Sequence, residues 1–405
     1  MRVLLASNSL VTLGGSETYL LTLGRHLQRY GHEVVVMEGP GNRGALAADA
    51  GLVWIDHPTR LDEAPDRILV QDAIVSGEAA AAWPSVPQLL VSHSTMHDHQ
   101  LPGALPSTVG LIVVLNDLTA ERARALAERR PVVRLTQPID VGHFSPGPPP
   151  RPDPEVVLVF GNNQVLGRER LQEVCAQRGV ELRYMGAVAG ERRADPLVEL
   201  READIVIGYG RCILEAMACG RTAFVSDRFG TEGWVTADTY ERLESSGFNG
   251  TAGLDEPGFD DWERMLDTYD PRLGAVGHDL VFRHHHPRDH GRRMIELLEG
   301  LGPPVPADPA LSRSLARVWR EQWRWESSAV TWAAERDRAQ RARLELEEEV
   351  HRLRGELAAA RGEVELARAE VAEMSADKLA FEASGSYRWA QRIARLRPGR
   401  RRDRS

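Results

Sequence analysis

The feature that most restricts this chain is an alternation of short apolar runs with helical stretches, met twice, on either side of a proline-rich break. Before the break, apolar runs fall at 2–7, 34–37, 52–55, 67–70, 88–92 and 110–115, with a further strand at 132–135. A helical pattern at Tyr19, Leu20, Leu23 and Leu27 closes near Gly31, and a second covers 117–129. Residues 145–154 (SPGPPPRPDP) are stiff and unable to join a sheet. The pattern then restarts, with strands predicted at 156–160, 181–185, 204–207 and 222–226. Helices are predicted between them at 166–178, 195–202 and 211–219, and the pattern ends near Leu301. Strands this short, separated by helices, build parallel βαβ units. Two such domains joined by a short linker enclose a cleft, and ligands of such sheets bind beyond the carboxyl ends of the strands.

Composition removes several alternatives. At 405 residues the chain is long enough for two domains and an appendage, and 42% apolar with 27% charged residues is a globular balance. No apolar run reaches the roughly 18 residues of a membrane-spanning helix. The apolar stretch at residues 1–7 is too short for a signal peptide, which predicts an unprocessed cytoplasmic chain. Cys175, Cys212 and Cys219 lack CxxC spacing and are too few for a disulfide scaffold. A net charge of −9 argues against a nucleic-acid partner for the body. The exception is 384–405, where eight arginines stand against the single acid Asp403.

Several residues stand at strand ends in a recognisable order. Gly14-Gly15-Ser16-Glu17 follows the first strand, with Gly31-His32-Glu33-Val34 closing the first helix. Gln137-Pro138-Ile139-Asp140 runs on to Phe144 and Pro146. Ala203-Asp204 leads into Gly208-Tyr209-Gly210-Arg211 and then Glu215-Ala216-Met217-Ala218-Cys219-Gly220. In this order and spacing, residues 1–300 resemble the family 4 glycosyltransferases, which have the GT-B fold of two Rossmann-like domains facing a cleft. The resemblance implies an acceptor-side domain over 1–146 and a nucleotide-sugar donor domain over 155–302. It also implies sugar transfer with retention at the anomeric carbon, and no metal ion or other cofactor.

The chemistry of each position fits that resemblance, beside a plainer alternative. Glycines at 14 and 15 let backbone approach a ligand where a helix offers free N–H groups, or they form an ordinary turn. Glu17 either orients that loop or caps the helix, and capping is the simpler role. Gly208, Gly210 and Arg211 would lie against a diphosphate, since a guanidinium forks two phosphate oxygens. The plainer alternative for Arg211 is a surface charge. A carboxylate at Glu215 can accept both ribose hydroxyls, the role the resemblance implies, or simply sit in a helix first turn. His93, at the end of Leu-Leu-Val-Ser-His, is the catalytic candidate because the resemblance places a histidine there beside the sugar. His97 and His99 compete with it. Gly161, Asn162 and Arg168 stand after the first strand of the second domain, and Gly230 opens the loop at 229–234, each offered as a donor contact.

Two departures bear on activity. The family pattern places a second glutamate eight residues before Glu215, where this chain has Ile207. The basic pair after the first strand of domain two is replaced by the 161–168 segment, in which Arg168 is the candidate substitute. A catalytically altered nucleotide- or glycan-binding protein and a coiled-coil assembly scaffold therefore stand as alternatives to an enzyme. His284-His285-His286 resembles a metal motif, but successive residues do not converge on one point in a helix or strand.

Beyond a second break at 303–310 the chain changes character, giving a helical extension over 311–378 and a basic tail over 384–405. Four of nine tryptophans fall in 311–332, and the helix at 311–326 is expected to pack on the body. Apolar residues then alternate at spacings of four and three: Val350, Leu357, Val364 and Val371 at one seam position, and Leu346, Leu353, Ala360, Ala367 and Met374 at the other. Glu349, Glu356, Glu363 and Glu370 flank one side, with Arg354, Arg361 and Arg368 five residues on. This predicts a parallel homodimer through 339–375, against the alternative of a single charged helix. Trp389, Ile393 and Leu396 share a helical face among arginines, which suits peripheral contact with an anionic inner-membrane surface or, failing that, a solvated tail. The expected acceptor is a cell-surface polysaccharide or glycolipid.

Overall fold

The structure, a computed structural model of the chain, describes residues 1–10, 14–39, 44–93, 97–162, 167–186, 195–228, 230–250 and 261–396. It forms two compact units, Met1–Arg324 and Trp325–Ser405.

The first unit opens with seven strands: β1 (Arg2–Ser7), β2 (Glu33–Glu38), β3 (Val53–Ile55), β4 (Arg67–Val70), β5 (Gln88–Ser92), β6 (Val109–Val114) and β7 (Val132–Arg134). Between them lie α1 (Gly15–Arg29), α2 (Ala45–Asp49), α3 (Ala73–Ala82) and α4 (Asp117–Leu126). The sheet order is β3-β2-β1-β4-β5-β6-β7, and every pairing is parallel. Both faces are covered, so the strands carry apolar residues on both sides. Val3 and Leu5 enter one core with Leu20, Leu23 and Leu27 of α1, while Leu4 and Ala6 enter the other with Val75 and Ala79 of α3.

A second sheet comprises β8 (Val156–Phe160), β9 (Glu181–Met185), β10 (Ile205–Gly208), β11 (Thr222–Asp227) and β12 (Gly230–Trp234). Its order is β12-β11-β10-β8-β9, parallel except for β12, which runs antiparallel to β11. Helices α5 (Arg168–Arg178), α6 (Leu197–Glu202), α7 (Arg211–Ala218), α8 (Tyr240–Ser245), α9 (Asp261–Asp267) and α10 (Arg272–His284) complete this half. Gly230 corrects one expectation: it begins an edge strand rather than a loop. Two glycines in GTEGW hide that strand from a propensity argument. Buried Asp204 fixes the segment entering the sheet, accepting from the backbone N–H of Arg151, Glu155 and Val156 and from the Arg151 guanidinium. The expected fold class is present: α/β, with two Rossmann-like sheets and a helical extension.

Helix α11 (Pro287–Glu299) returns to the first sheet, where Met294 and Leu298 join the core beneath α1. The chain thus passes between the halves twice, and the two passages are zipped together. Thr136 Oγ1 donates to His284 O at 2.8 Å, and Ile139 N donates to His285 O at 2.9 Å. Two buried histidines grip successive carbonyls of the outgoing passage. His285 Nδ1 donates to Gln137 O at 2.7 Å and His290 Nδ1 donates to Thr136 O at 2.9 Å. Each therefore presents a bare Nε2, which accepts from a tyrosine hydroxyl: Tyr240 to His285 at 2.8 Å, and Tyr19 to His290 at 2.9 Å. His285, from the histidine run set aside as a metal motif, and His290 together clamp the halves, and their tyrosine partners come from opposite halves. Among the described residues no cluster of histidine, cysteine and carboxylate groups could hold a metal ion.

One helix, α12 (Pro309–Ala383), replaces the two expected in the extension. Its first turns pack on the first sheet. Ser312 and Ala316 are buried, Trp319 Nε1 donates to Ala104 O at 3.2 Å, and Arg320 pairs with Glu78. Within the second unit, seam residues Leu346, Val350, Leu353, Leu357, Val364, Val371 and Met374 are all exposed in the single chain. Ser384 caps α13 (Gly385–Leu396), on which Trp389 and Ile393 are exposed. Residues 397–405 of the basic tail lie outside the described residues.

Candidate functional site

Because the strands of the first sheet run parallel, their carboxyl ends share one edge. There β4 delivers Gln71 and Asp72, β5 delivers Ser92 and His93, and α1 begins at Gly14. Asp72 accepts from the N–H groups of Ile74 and Val75 at 3.0 Å and of Asn8 at 2.8 Å, capping α3 and tying β1 to β4. Burial nevertheless lifts its carboxyl to about 6. Gln71 Nε2 donates to Ser16 O at 2.8 Å and lies 2.9 Å from His93 Nε2. The His93 and Tyr19 rings meet in a T-shaped contact, with centroids 4.8 Å apart. Burial, then the positive charge of Arg211, then His290, lower His93 to about 3, so this imidazole is neutral. Gln71 Oε1 and Ser92 Oγ are buried without a partner among the described residues.

Glu17 takes the capping role. Its Oε2 accepts from Gly14 N at 3.0 Å and Ser16 Oγ at 3.1 Å. A Cβ on residue 14 would stand 2.6 Å from that oxygen, so a side chain there would have to displace the Glu17 carboxylate from its cap. A carboxylate of the chain itself thus sits on the start of α1, and burial raises its pKa. Gly15 is exposed with open space around it.

The second sheet brings its own candidates to its carboxyl edge. Gly161 follows β8, and a Cβ there would press on Tyr209 at 2.8 Å. Asn162 N donates to Tyr209 Oη at 3.2 Å. At Gly208 a Cβ would meet Phe160 O at 2.5 Å, so β10 and β8 approach closely only through glycine. Gly210 has φ +57°, ψ −134° and starts α7, its N–H donating to Phe248 O at 2.8 Å. Arg168 holds its guanidinium over the Tyr184 ring at 4.3 Å. Gly230 pairs with Asp227 in the β11–β12 ladder. Asn163 and Gln164 of the 161–168 segment, and Phe229, lie outside the described residues.

Arg211 ties the second edge to the passage between the halves and acts on His93 through its charge. Its Nε donates to Glu215 Oε1 at 2.8 Å, one helical turn along α7, and its Nη1 donates to Pro138 O of the outgoing passage at 2.9 Å. The side chains of Arg211 and Glu215 are only 6% and 8% exposed. Arg211 Nη2 is buried with no partner among the described residues. An unpaired guanidinium N–H away from water costs free energy unless an anion or acceptor reaches it. Burial raises the Glu215 carboxyl while Arg211 opposes the rise. The arginine therefore engages the carboxylate expected to hold ribose. Beside them His143 Nε2 lies 3.0 Å from Asp195 Oδ1, and both influence Glu215. Sequence reasoning missed Gln71, whose position after β4 is its one signal. It also missed His143, which carries none. Ile207, standing where the family pattern has its first glutamate, is fully buried in β10.

No family model matches this chain, and no curated protein matches it. Solved structures similar to it are found at low identity. A glycosyltransferase from Rickettsia africae is 12% identical over 74% of this chain and 97% of its own, with a TM-score of 0.45. MurG from Acinetobacter baumannii is 12% identical over 74% and 99%, with a TM-score of 0.42. A UDP-N-acetylglucosamine 2-epimerase, so described from Listeria monocytogenes, is 13% identical over 76% and 99%, with a TM-score of 0.46.

Proposed function

We propose that the chain is a glycosyltransferase that moves a sugar from a nucleotide-sugar to a polysaccharide or glycolipid acceptor. The observation that carries this reading is Arg211: a buried guanidinium at the carboxyl edge of the second sheet, with Nη2 unpartnered among the described residues, within electrostatic reach of His93 on the first. In this reading the donor diphosphate meets Arg211 and the first turn of α7, and the sugar faces His93. As the anomeric C–O bond breaks, the electron pair leaves with the diphosphate. Arg211 and backbone N–H groups stabilise that charge, and an acceptor hydroxyl forms the new bond to the anomeric carbon while its proton passes to the departing diphosphate oxygen. Retention and metal independence follow from the resemblance alone. The exposed seam over 339–375 suits a parallel homodimer.

The test is thermal unfolding with a panel of nucleoside diphosphates and their sugars. A ligand at 100 times its Kd adds about 2.7 kcal/mol of stability. One nucleotide should raise Tm, and Arg211→Gln should abolish the rise; no response from any nucleotide sinks the reading. The buried Ile207 favours a second reading, a nucleotide-binding protein without transfer activity. A nucleotide response with neither transfer nor donor hydrolysis would select it. Peripheral contact through α13 and the arginines beyond predicts co-sedimentation with anionic vesicles, lost on deleting 384–405.

A further inference from the structure

We infer that Gln71 is a positioning residue that holds His93 in one tautomer, with the proton on Nδ1, so that His93 meets its ligand as a hydrogen-bond donor and not as a base. The inference deepens the proposed site and rests on that reading for its catalytic meaning only.

The argument starts from Ser16 O, which can only accept. The group of Gln71 lying 2.8 Å from it must therefore be the amide nitrogen. The same nitrogen stands 2.9 Å from His93 Nε2. An amide NH₂ has two hydrogens and no lone pair to offer, so its second hydrogen points at His93. His93 Nε2 must accept, which requires it to be bare and leaves the proton on Nδ1. Nothing among the described residues accepts from Nδ1. The N–H there is the one polar group that His93 has left for a ligand.

The surroundings hold this state. Gln71 follows β4, where its own N–H donates to Ala6 O at 3.0 Å, so the residue is fixed by the sheet. Tyr19 of α1 packs its ring at a steep angle against His93 while its hydroxyl is spent on His290 of α11. Arg211 of α7 adds positive charge. These are the charged and titratable groups that face His93 from the elements around it, and none stabilises an imidazolium. Charging His93 would set an N–H on Nε2 against the Gln71 N–H, two donors with no acceptor between them. A donor on Nδ1 suits a sugar hydroxyl or ring substituent oxygen, whereas proton abstraction from an acceptor would need a bare nitrogen facing it.

The experiment uses the full-length protein with ¹⁵N-labelled histidine and reads the two ring nitrogens of His93 by NMR. The signal is assigned by its loss in His93→Asn. At pH 7 the wild type should show Nδ1 protonated and Nε2 bare, with no titration down to pH 5. In Gln71→Glu the carboxylate accepts from Nε2, so Nε2 gains a proton and the titration midpoint rises by about 1–3 pH units. A wild-type spectrum with the proton on Nε2, or a charged ring at pH 7, overturns the inference. So does a Gln71→Glu spectrum identical to wild type. Should Gln71→Glu fail to fold, the wild-type spectrum decides alone. The unliganded chain is measured, so a missing nucleotide response would count against the proposed activity and leave the tautomer result standing.

Discussion

Acid should loosen the junction between the two halves through His285 and His290. Both are buried, at 1% and 6% exposure, and burial lowers each to about 4. For His285 the charges of His284, Arg134 and His290 add to the lowering, and for His290 that of His26 does. Their folded pKa values lie below the unfolded value of about 6.5, so below pH 6.5 the unfolded chain binds protons that the folded chain does not. Stability is therefore full above pH 6.5 and falls as pH drops toward 4. Each pH unit in that window costs about 1.4 kcal/mol per histidine, or about 2 kcal/mol each between pH 6.5 and 5. The geometry supplies a clean comparison. In His290→Gln, the amide N–H can still donate to Thr136 O and its oxygen can still accept from Tyr19, but nothing titrates. Urea unfolding at pH 7 and pH 5 should show His290→Gln losing about 2 kcal/mol less than wild type over that interval. Equal losses in the two proteins would refute the reasoning, as would a His290 ring that titrates near 6.5.

Two further outcomes follow from the buried pair and the exposed seam. Arg211→Ala leaves the Glu215 carboxylate buried without its partner and should cost about 3–5 kcal/mol by urea unfolding, while Glu215→Gln, which keeps an acceptor, should cost less; a loss below about 1 kcal/mol in Arg211→Ala would show the pair to be idle. Leu357→Glu places a charge at the centre of the seam and should convert a dimer to a monomer in sedimentation analysis, and a wild type that is already monomeric at high concentration removes the dimer reading.

Most strands of both sheets were legible because they are apolar runs between glycine, proline or polar breaks, as at 2–7 and 156–160, whereas β12, with two glycines in five residues, was not. Glu17 as a cap was legible too, since its partner lies three residues away. The one-turn spacing of Arg211 and Glu215 was visible, yet the meaning was not. Only the fold shows that the pair is buried and tied to Pro138. What the sequence withheld depends on distant partners. His285 reads only as the middle of a metal-like histidine run, and His290 carries no signal, until Tyr240, Tyr19 and the carbonyls of residues 136 and 137 are placed against them. Gln71 has no motif at all, because its role comes from a helix start and a strand end brought together by the sheet.

The returning helix α11 has a consequence for synthesis. The first sheet and α1 leave the ribosome long before Met294 and Leu298, which complete their core. At a translation rate of about 5–20 residues per second, the roughly 150 residues in between take about 8–30 s. For that interval Leu20, Leu23 and Leu27 lie beneath an unfilled patch, while the opposite core still awaits Trp319 of α12. A fragment ending at the proline-rich break never receives the missing helix and should be prone to aggregate. The nascent chain passes through that same state each time it is made, so its yield in the cell depends on how quickly residues 287–299 arrive, or on a chaperone covering the patch until they do.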